Sequence, residues 1–257
     1  MRALLGLLAA FALVSAGRAQ DPEWRVPFIS TPDEVVARML ALAGTRADDY
    51  VVDLGSGDGR IVIAAAQRFG ARGLGIELDG ELVRASRENA RRAGLAERVR
   101  FVQGDVLTAD FSSASVVTVY LLPELIGKLQ SRFVTELKPG TRIVSHAFRM
   151  SGWTPVASET LRVAGPHPGQ GDESTLYLWI VPAEVRGTWS APSMRVRIDQ
   201  SYGDIDVEGA TQATLRGTEI AWQTPRGSFR GRVEGARIVG ELSASGRSTP
   251  VVLERER

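Results

Sequence analysis

The stretch VVDLGSGDGR, Val51 to Arg60, decides how this chain is read. Its apolar opening has no polar side, which is what a central strand of a parallel sheet requires, because helices cover both faces of such a sheet. The strand ends on an acid, Asp53, and Gly55, Gly57 and Gly59 then alternate through the turn into a helix. Glycine there lets a ligand come close to the backbone, and the helix N-terminus offers unpaired N–H groups to an anion. Ligands of open α/β sheets bind at the carboxyl ends of strands, so the position suits a nucleotide-like cofactor. A dinucleotide fingerprint would need G-x-G-x-x-G, whose third glycine is here Arg60, and this argues against a nicotinamide-dependent oxidoreductase.

The chain on either side repeats the strand–helix rhythm. STPDEVVARMLALAG predicts a helix with Thr31 as N-cap, Pro32 at its first position and Glu34 completing a capping box, while Val35, Val36, Met39, Leu40 and Ala43 recur at helical spacing. After the glycine turn come a helix in GRIVIAAAQRFG, a strand over 71–78, a helix in GELVRASRENARRAG, and strands over 98–105 and 114–122. Pro123 opens a further helix in PELIGKLQSRFVTEL, and a fifth strand covers 141–148. Strands alternating with helices predict βαβ units and a parallel sheet. RMSGWTPVAS is too short and too broken for a helix, and ETLRVAG and STLYLWIVP read as an antiparallel pair closing the sheet, joined by the loop PHPGQGDE.

Two further acids stand at strand ends on the same side of that sheet. Glu77 closes GLGIE and can accept two hydrogen bonds from ribose hydroxyls; Asp105 closes FVQGD and can accept one from an adenine amino group, with Val106 beside the ring. Together with the spacing G-x-G-x-G and the acid two residues before it, they suit a cofactor without a pyrophosphate, S-adenosylmethionine. Its ammonium would face Asp53 and its carboxylate the loop N–H groups. On these stretches, and on PFISTPDEVVARML, SVVTVYLLPE, LKPGTRIVSHAF and SGWTP, residues 27 to about 183 resemble a class I, seven-stranded S-adenosylmethionine-dependent methyltransferase. More narrowly they resemble the lysine N-methyltransferases that modify the ATP synthase c subunit and the adenine nucleotide translocase. The resemblance implies a Rossmann-like α/β sheet and S-adenosyl-L-methionine as cofactor, with Thr31 and Tyr120 joining Asp53, Gly55, Gly57, Gly59, Glu77, Asp105 and Val106 in its site. It implies methyl transfer to an amine, a protein lysine before a small amine, with a membrane protein as one candidate substrate. Two features depart from the family: Ser30 stands where a proline is usual, and no helix is evident between strands five and six.

On the acceptor side, the fourth strand ends in Tyr120-Leu121-Leu122-Pro123-Glu124 rather than in the Asn/Asp-Pro-Pro-Tyr of many enzymes that methylate amide or base nitrogens, which argues against DNA adenine and glutamine targets. Tyr120 can lend a hydroxyl or a ring face to an amine, against the plainer reading of a core aromatic. Glu124 can orient an amine or simply complement a helix dipole. His146 suits acid–base work by type, although its place mid-strand equally suits a buried core histidine. Trp153 is a candidate wall of the pocket or a cover for the sheet.

The composition narrows the rest. The chain has 257 residues, no cysteine, two histidines and a formal net charge of +1. Disulfides, thiolate zinc and cysteine nucleophiles are thereby excluded, no metal site is expected, and nothing steers the chain toward nucleic acid. Arg2, the apolar run from Leu4 to Val14, and Gly17 and Ala19 form a secretory signal pattern for residues 1–19, with a periplasmic or secreted product, or a membrane-anchored one if the segment is retained. Residues 20–183 are then the methyltransferase domain. From 184 to 257, short alternating stretches rich in Gly and Arg predict a small all-β module, a sandwich or barrel, of binding or scaffolding character. The rival functional reading is an exported, non-catalytic scaffold that uses the same fold to bind a nucleoside or a protein partner.

Overall fold

The computed structural model describes residues 28–167, 171–192 and 194–256; the expected signal segment lies outside them. Five strands, β1 (Tyr50–Leu54), β2 (Arg72–Glu77), β3 (Val99–Gln103), β4 (Val116–Val119) and β5 (Arg142–His146), run parallel. β6 (Ala157–His167) forms the edge, and β7 (Gly171–Ile180) inserts antiparallel between β5 and β6, giving the order β3-β2-β1-β4-β5-β7-β6. This is the seven-stranded, Rossmann-like order that the resemblance implies. Switching from β1 outward to β2 on one side and β4 on the other opens the crevice beyond the carboxyl ends of these strands.

Helices α1 (Asp33–Leu42), α2 (Arg60–Phe69) and α3 (Gly80–Arg92) cover one face, burying Val36, Leu40, Ile61, Ala65 and Val83 against it. The other face carries α4 (Pro123–Glu136), whose Leu125, Ile126, Leu129 and Phe133 pack over Val52, Val117, Val119, Ile143 and Trp179. The expected capping box at α1 does not form. Pro32 directly precedes the helix and no side chain caps it. Thr31 instead places its Oγ1 3.4 Å from His146 Nδ1, and Glu34 Oε1 accepts the Ala164 N–H at 2.8 Å. Both polar groups serve contacts more than a hundred residues away in sequence, so tertiary structure outcompetes the local cap.

The C-terminal part is a second, separate sheet. β8 (Gly187–Ala191), β9 (Met194–Ser201), β10 (Asp204–Val207), β11 (Gln212–Arg216), β12 (Glu219–Thr224), β13 (Gly227–Glu234), β14 (Arg237–Ala244) and β15 (Arg247–Arg255) are all antiparallel, in the order β10-β9-β8-β15-β14-β13-β12-β11. One side of it is a single core around Trp189, Ile198, Ile220, Trp222, Phe229, Ile238 and Leu253. The recurring glycines do two different jobs. Gly217, at φ 61°, turns TLRGTEIAW into the β11–β12 hairpin, whereas Gly231 and Gly240 face each other mid-strand. A Cβ at either would stand 2.7 to 2.9 Å from the Phe229 ring, so the aromatic fills the space these glycines leave.

Two hairpin turns of this module rest on the first sheet. The β11–β12 turn meets the turn before β5, where a Cβ on Gly217 would lie 2.9 Å from Gly140 Cα, and the Gly217 carbonyl accepts the Ala183 N–H. The β9–β10 turn meets the segment after β5, where the Tyr202 ring stacks on Trp153 with centroids 5.3 Å apart and planes 8° apart.

Candidate functional site

Beyond the carboxyl ends of β1, β2 and β4 lies a cleft of about 650 Å³, within the usual size of small-molecule sites. At its floor Asp53 is 2% exposed, and its Oδ1 accepts the Thr118 hydroxyl at 2.7 Å. Burial pushes this carboxyl up to about 7, the Thr118 bond partly opposing it and the charges of Glu77 and Asp58 adding to it. A buried acid held so close to neutrality suits a cationic partner that would supply the missing charge compensation.

The glycine turn is wound around that floor. Glu77 Oε2 accepts the Gly57 N–H at 2.8 Å, and its other oxygen accepts the Asp79 N–H at 3.0 Å, so the acid at the end of β2 holds the turn after β1. Gly57 lies directly under the Phe28 ring, 2.2 Å from where a Cβ would stand. Gly59 ends the turn at φ 83°, and a Cβ there would meet the Phe101 ring at 2.7 Å and Ser86 at 2.8 Å. The close helix–strand packing that a dinucleotide site assigns to the position of Arg60 is therefore supplied one residue earlier. Arg60 has another role: its guanidinium grips Asp58 and donates from Nη1 to the Thr31 carbonyl at 2.9 Å, tying the segment before α1 across the cleft.

Thr31, Asp53, Gly55, Glu77, Asp105, Val106 and Tyr120 all line this one cleft. Gly57 and Gly59 do not line it; they alternate in the turn with the lining residues Ser56, Asp58 and Arg60. Asp105 Oδ1 accepts the Leu107 N–H at 2.8 Å, shaping the turn that presents Val106. Tyr120, half-buried, faces the cleft from the end of β4. Glu124 and His146 do not line it. Glu124 is on the outer side of the first turn of α4, 3.9 Å from Lys128 Nζ. His146 is fully buried behind Tyr120, its ring centroid 4.1 Å away, with Nδ1 toward Thr31 and Nε2 3.2 Å from Ser174 Oγ. It supports Tyr120 from behind, where an incoming acceptor has no access. Trp153 is buried beneath the Tyr202 turn, outside the cleft.

Sequence reasoning missed Phe28, Arg60 and Thr118 as parts of the site. Thr118 carries a signal in hindsight, being a polar residue inside an otherwise apolar β4. Phe28 carries none, because a lone aromatic before a helix is ordinary surface until the glycine turn is placed beneath it. No cluster of three or more metal-ligating side chains occurs among the described residues.

A profile of the ANTKMT methyltransferase domain matches residues 53–157. A protein-lysine N-methyltransferase of Saccharolobus islandicus is 40% identical over 157 residues, 61% of this chain and 94% of that protein. The chain belongs to the ANTKMT methyltransferase family. The adenine nucleotide translocase lysine N-methyltransferase of Mus musculus is 36% identical over 52% of this chain, which spans 58% of that longer protein. Among solved structures, an RNA methyltransferase from Salinibacter ruber in complex with S-adenosyl-L-homocysteine is 48% identical, with a TM-score of 0.56, covering 61% of this chain and 96% of its own. The chain is thus an S-adenosylmethionine-dependent methyltransferase, and the rest of its length has no counterpart in the Saccharolobus and Salinibacter proteins.

Proposed function

We propose that this methyltransferase acts on the side-chain amine of a protein lysine, and that the cleft divides into a cofactor half and an acceptor half. In the cofactor half Asp53 takes the ammonium of the amino-acid end, Glu77 the ribose hydroxyls through lone pairs its backbone contacts leave open, and Asp105 with Val106 the adenine. The cofactor supplies an electrophilic methyl on a sulfonium, so the chain's task is to place the amine in line and exclude water. Tyr120, Leu121 and Leu125 form an aromatic and aliphatic wall. Burial against such a wall lowers the pKa of an ammonium and so favours the neutral, nucleophilic amine.

The observation that carries the choice of acceptor is the charge around the cleft. Asp58, Asp79, Glu77 and Asp105 line it, and its one arginine, Arg60, is paired with Asp58. That rim attracts a cation and repels a polyphosphate backbone. Phe28 and Leu122, 49% and 46% exposed beside the cleft residues Ile29 and Leu121, give it apolar flanks that fit a membrane-protein segment carrying the lysine. Incubation with cofactor bearing a tritiated methyl should label a membrane-protein fraction, with the label recovered as methyl-lysine after acid hydrolysis. Label found only in an added RNA, as the name of the Salinibacter ruber protein would have it, would refute the lysine reading.

We further propose that residues 1–19 direct export, leaving the product periplasmic, secreted or anchored. The support is the basic, then apolar, then small-residue pattern of that stretch. Cell fractionation with N-terminal sequencing tests it, a cytoplasmic chain beginning at Met1 being the refuting result.

A further inference from the structure

The β module of residues 187–255 is absent from the chemistry derived so far, and one of its two turns that touch the first sheet lies on the segment after β5. Between β5 and β6 the chain has no helix. Residues 147–156 instead fold back over the α4 face of the sheet, so that the Trp153 carbonyl accepts the Trp179 Nε1–H at 3.0 Å and the Ser151 carbonyl accepts from Gln130 of α4 at 2.7 Å. At its start this segment carries Phe148, whose ring stacks on Tyr120 at 6.4 Å. Trp153 belongs to the same core cluster as Val106, Leu121 and Leu125, which line the cleft. The segment therefore underlies the acceptor wall.

The stretch turns sharply at both ends: Ala147, φ 71°, is the centre of a γ-turn closed by the Phe148 N–H on the His146 carbonyl at 2.9 Å, its own N–H held by the Thr175 carbonyl of β7, and Gly152 has φ 65°. What closes over it is the β9–β10 turn. The Tyr202 ring covers the Trp153 indole, Gly203 lets the turn come so near that a Cβ there would stand 3.2 Å from Trp153 Nε1, and Asp204 Oδ2 accepts the Thr154 hydroxyl at 2.9 Å. The second contact, at Gly217 and Gly140, lies before β5, so the module grips the chain on both sides of that strand.

We propose that the C-terminal β module is a built-in brace for the acceptor wall, with Tyr202 and Asp204 as positioning residues that hold segment 147–154 and, through it, Tyr120. Its consequence for transfer rests on the reading of the cleft as a methyl-transfer site. The brace itself does not.

The test uses the full chain with Tyr202→Ala, Asp204→Ala and, as the conservative control, Tyr202→Phe. Hydrogen exchange read by mass spectrometry should rise about tenfold across 147–154 in the two alanine variants, the size of a modest loss of local opening energy, and return to the parent rate in Tyr202→Phe. Exchange in β12–β14 should stay at the parent rate, and S-adenosylhomocysteine affinity by calorimetry should stay within roughly twofold, since neither residue lines the cleft. With a lysine acceptor, the acceptor KM should rise while cofactor affinity holds. Unchanged exchange over 147–154 in both alanine variants overturns the brace, as does cofactor affinity falling in step with it. Should Tyr202→Ala loosen the whole module, the exposed Asp204→Ala decides alone. Failure of the parent protein to bind S-adenosylhomocysteine would instead count against the methyltransferase assignment, and the exchange result would still decide the brace.

Discussion

Asp53 is the group through which pH should act on the free protein and on the binding proposed for its cleft. Its carboxyl titrates near 7 in the fold, against an ordinary 3.8, so between these values the folded chain binds more protons than the unfolded one. Stability of the cofactor-free protein should therefore decline as pH rises from about 4 to about 7, the folded state losing the advantage of a neutral buried acid. Asp53→Asn, which keeps the shape and removes the charge, should raise the melting temperature at pH 8 while weakening cofactor binding on the order of a hundredfold, as for breaking a buried, hydrogen-bonded charge pair. Thermal scans and calorimetry on one preparation check both directions. For the parent, affinity should strengthen through pH 7 as Asp53 ionises, and a flat profile from pH 6 to 8 would refute its role toward the ammonium. At Tyr120 the packing against His146 and Phe148 points to the ring rather than the hydroxyl. Tyr120→Phe should retain most of kcat, whereas Tyr120→Ala should lose roughly tenfold or more through lost positioning.

Among elements, the turn from β1 to α2 is the one whose sequence admits least change. Gly59→Ala forces a side chain into the left-handed region and against Phe101 and Ser86, both held by α3 and β3 packing. The expected cost is about 2–4 kcal/mol, from the backbone penalty and the overpacking together, read as a lower denaturant midpoint. The segment before α1 depends on Arg60. Arg60→Ala leaves the sheet intact but frees the Thr31 carbonyl and the Phe28 ring above Gly57, so hydrogen exchange over 28–34 should rise and cofactor affinity should fall about three- to tenfold. An unchanged affinity would mean that this segment lies over the cleft without enclosing its ligand. Both effects were unreadable before folding: Arg60 served only to exclude a dinucleotide pattern, because nothing local joins it to Thr31, 29 residues earlier.

Across the whole molecule, ligand binding is coupled to the stability of the first sheet. S-adenosylhomocysteine at about a hundred times its Kd should add about 2.7 kcal/mol, hence several degrees in Tm, and Asp53→Ala should abolish the shift. The α/β half was legible because each of its elements carries its own period: mostly apolar runs at β1 and β4, helical spacing in α1 and α4, acids at the ends of β1 and β2. The all-β class of the C-terminal sheet was legible from its alternation, whereas the hairpin within TLRGTEIAW and the pairing of Gly231 with Gly240 were not, since register depends on which strands meet.

By itself the sequence determined the sheet, the glycine turn and the set of acids gathered at one cleft, because those follow from residue spacing and from the rule that parallel strands present their carboxyl ends together. Only the tertiary structure decided that Thr31 leaves its helix for His146, that His146 backs Tyr120 while Glu124 points outward, and that a turn from the second sheet closes over Trp153. These are contacts between residues far apart in the chain, set by what each buried group must find for a partner once the strands are assembled, and no local pattern encodes such a choice.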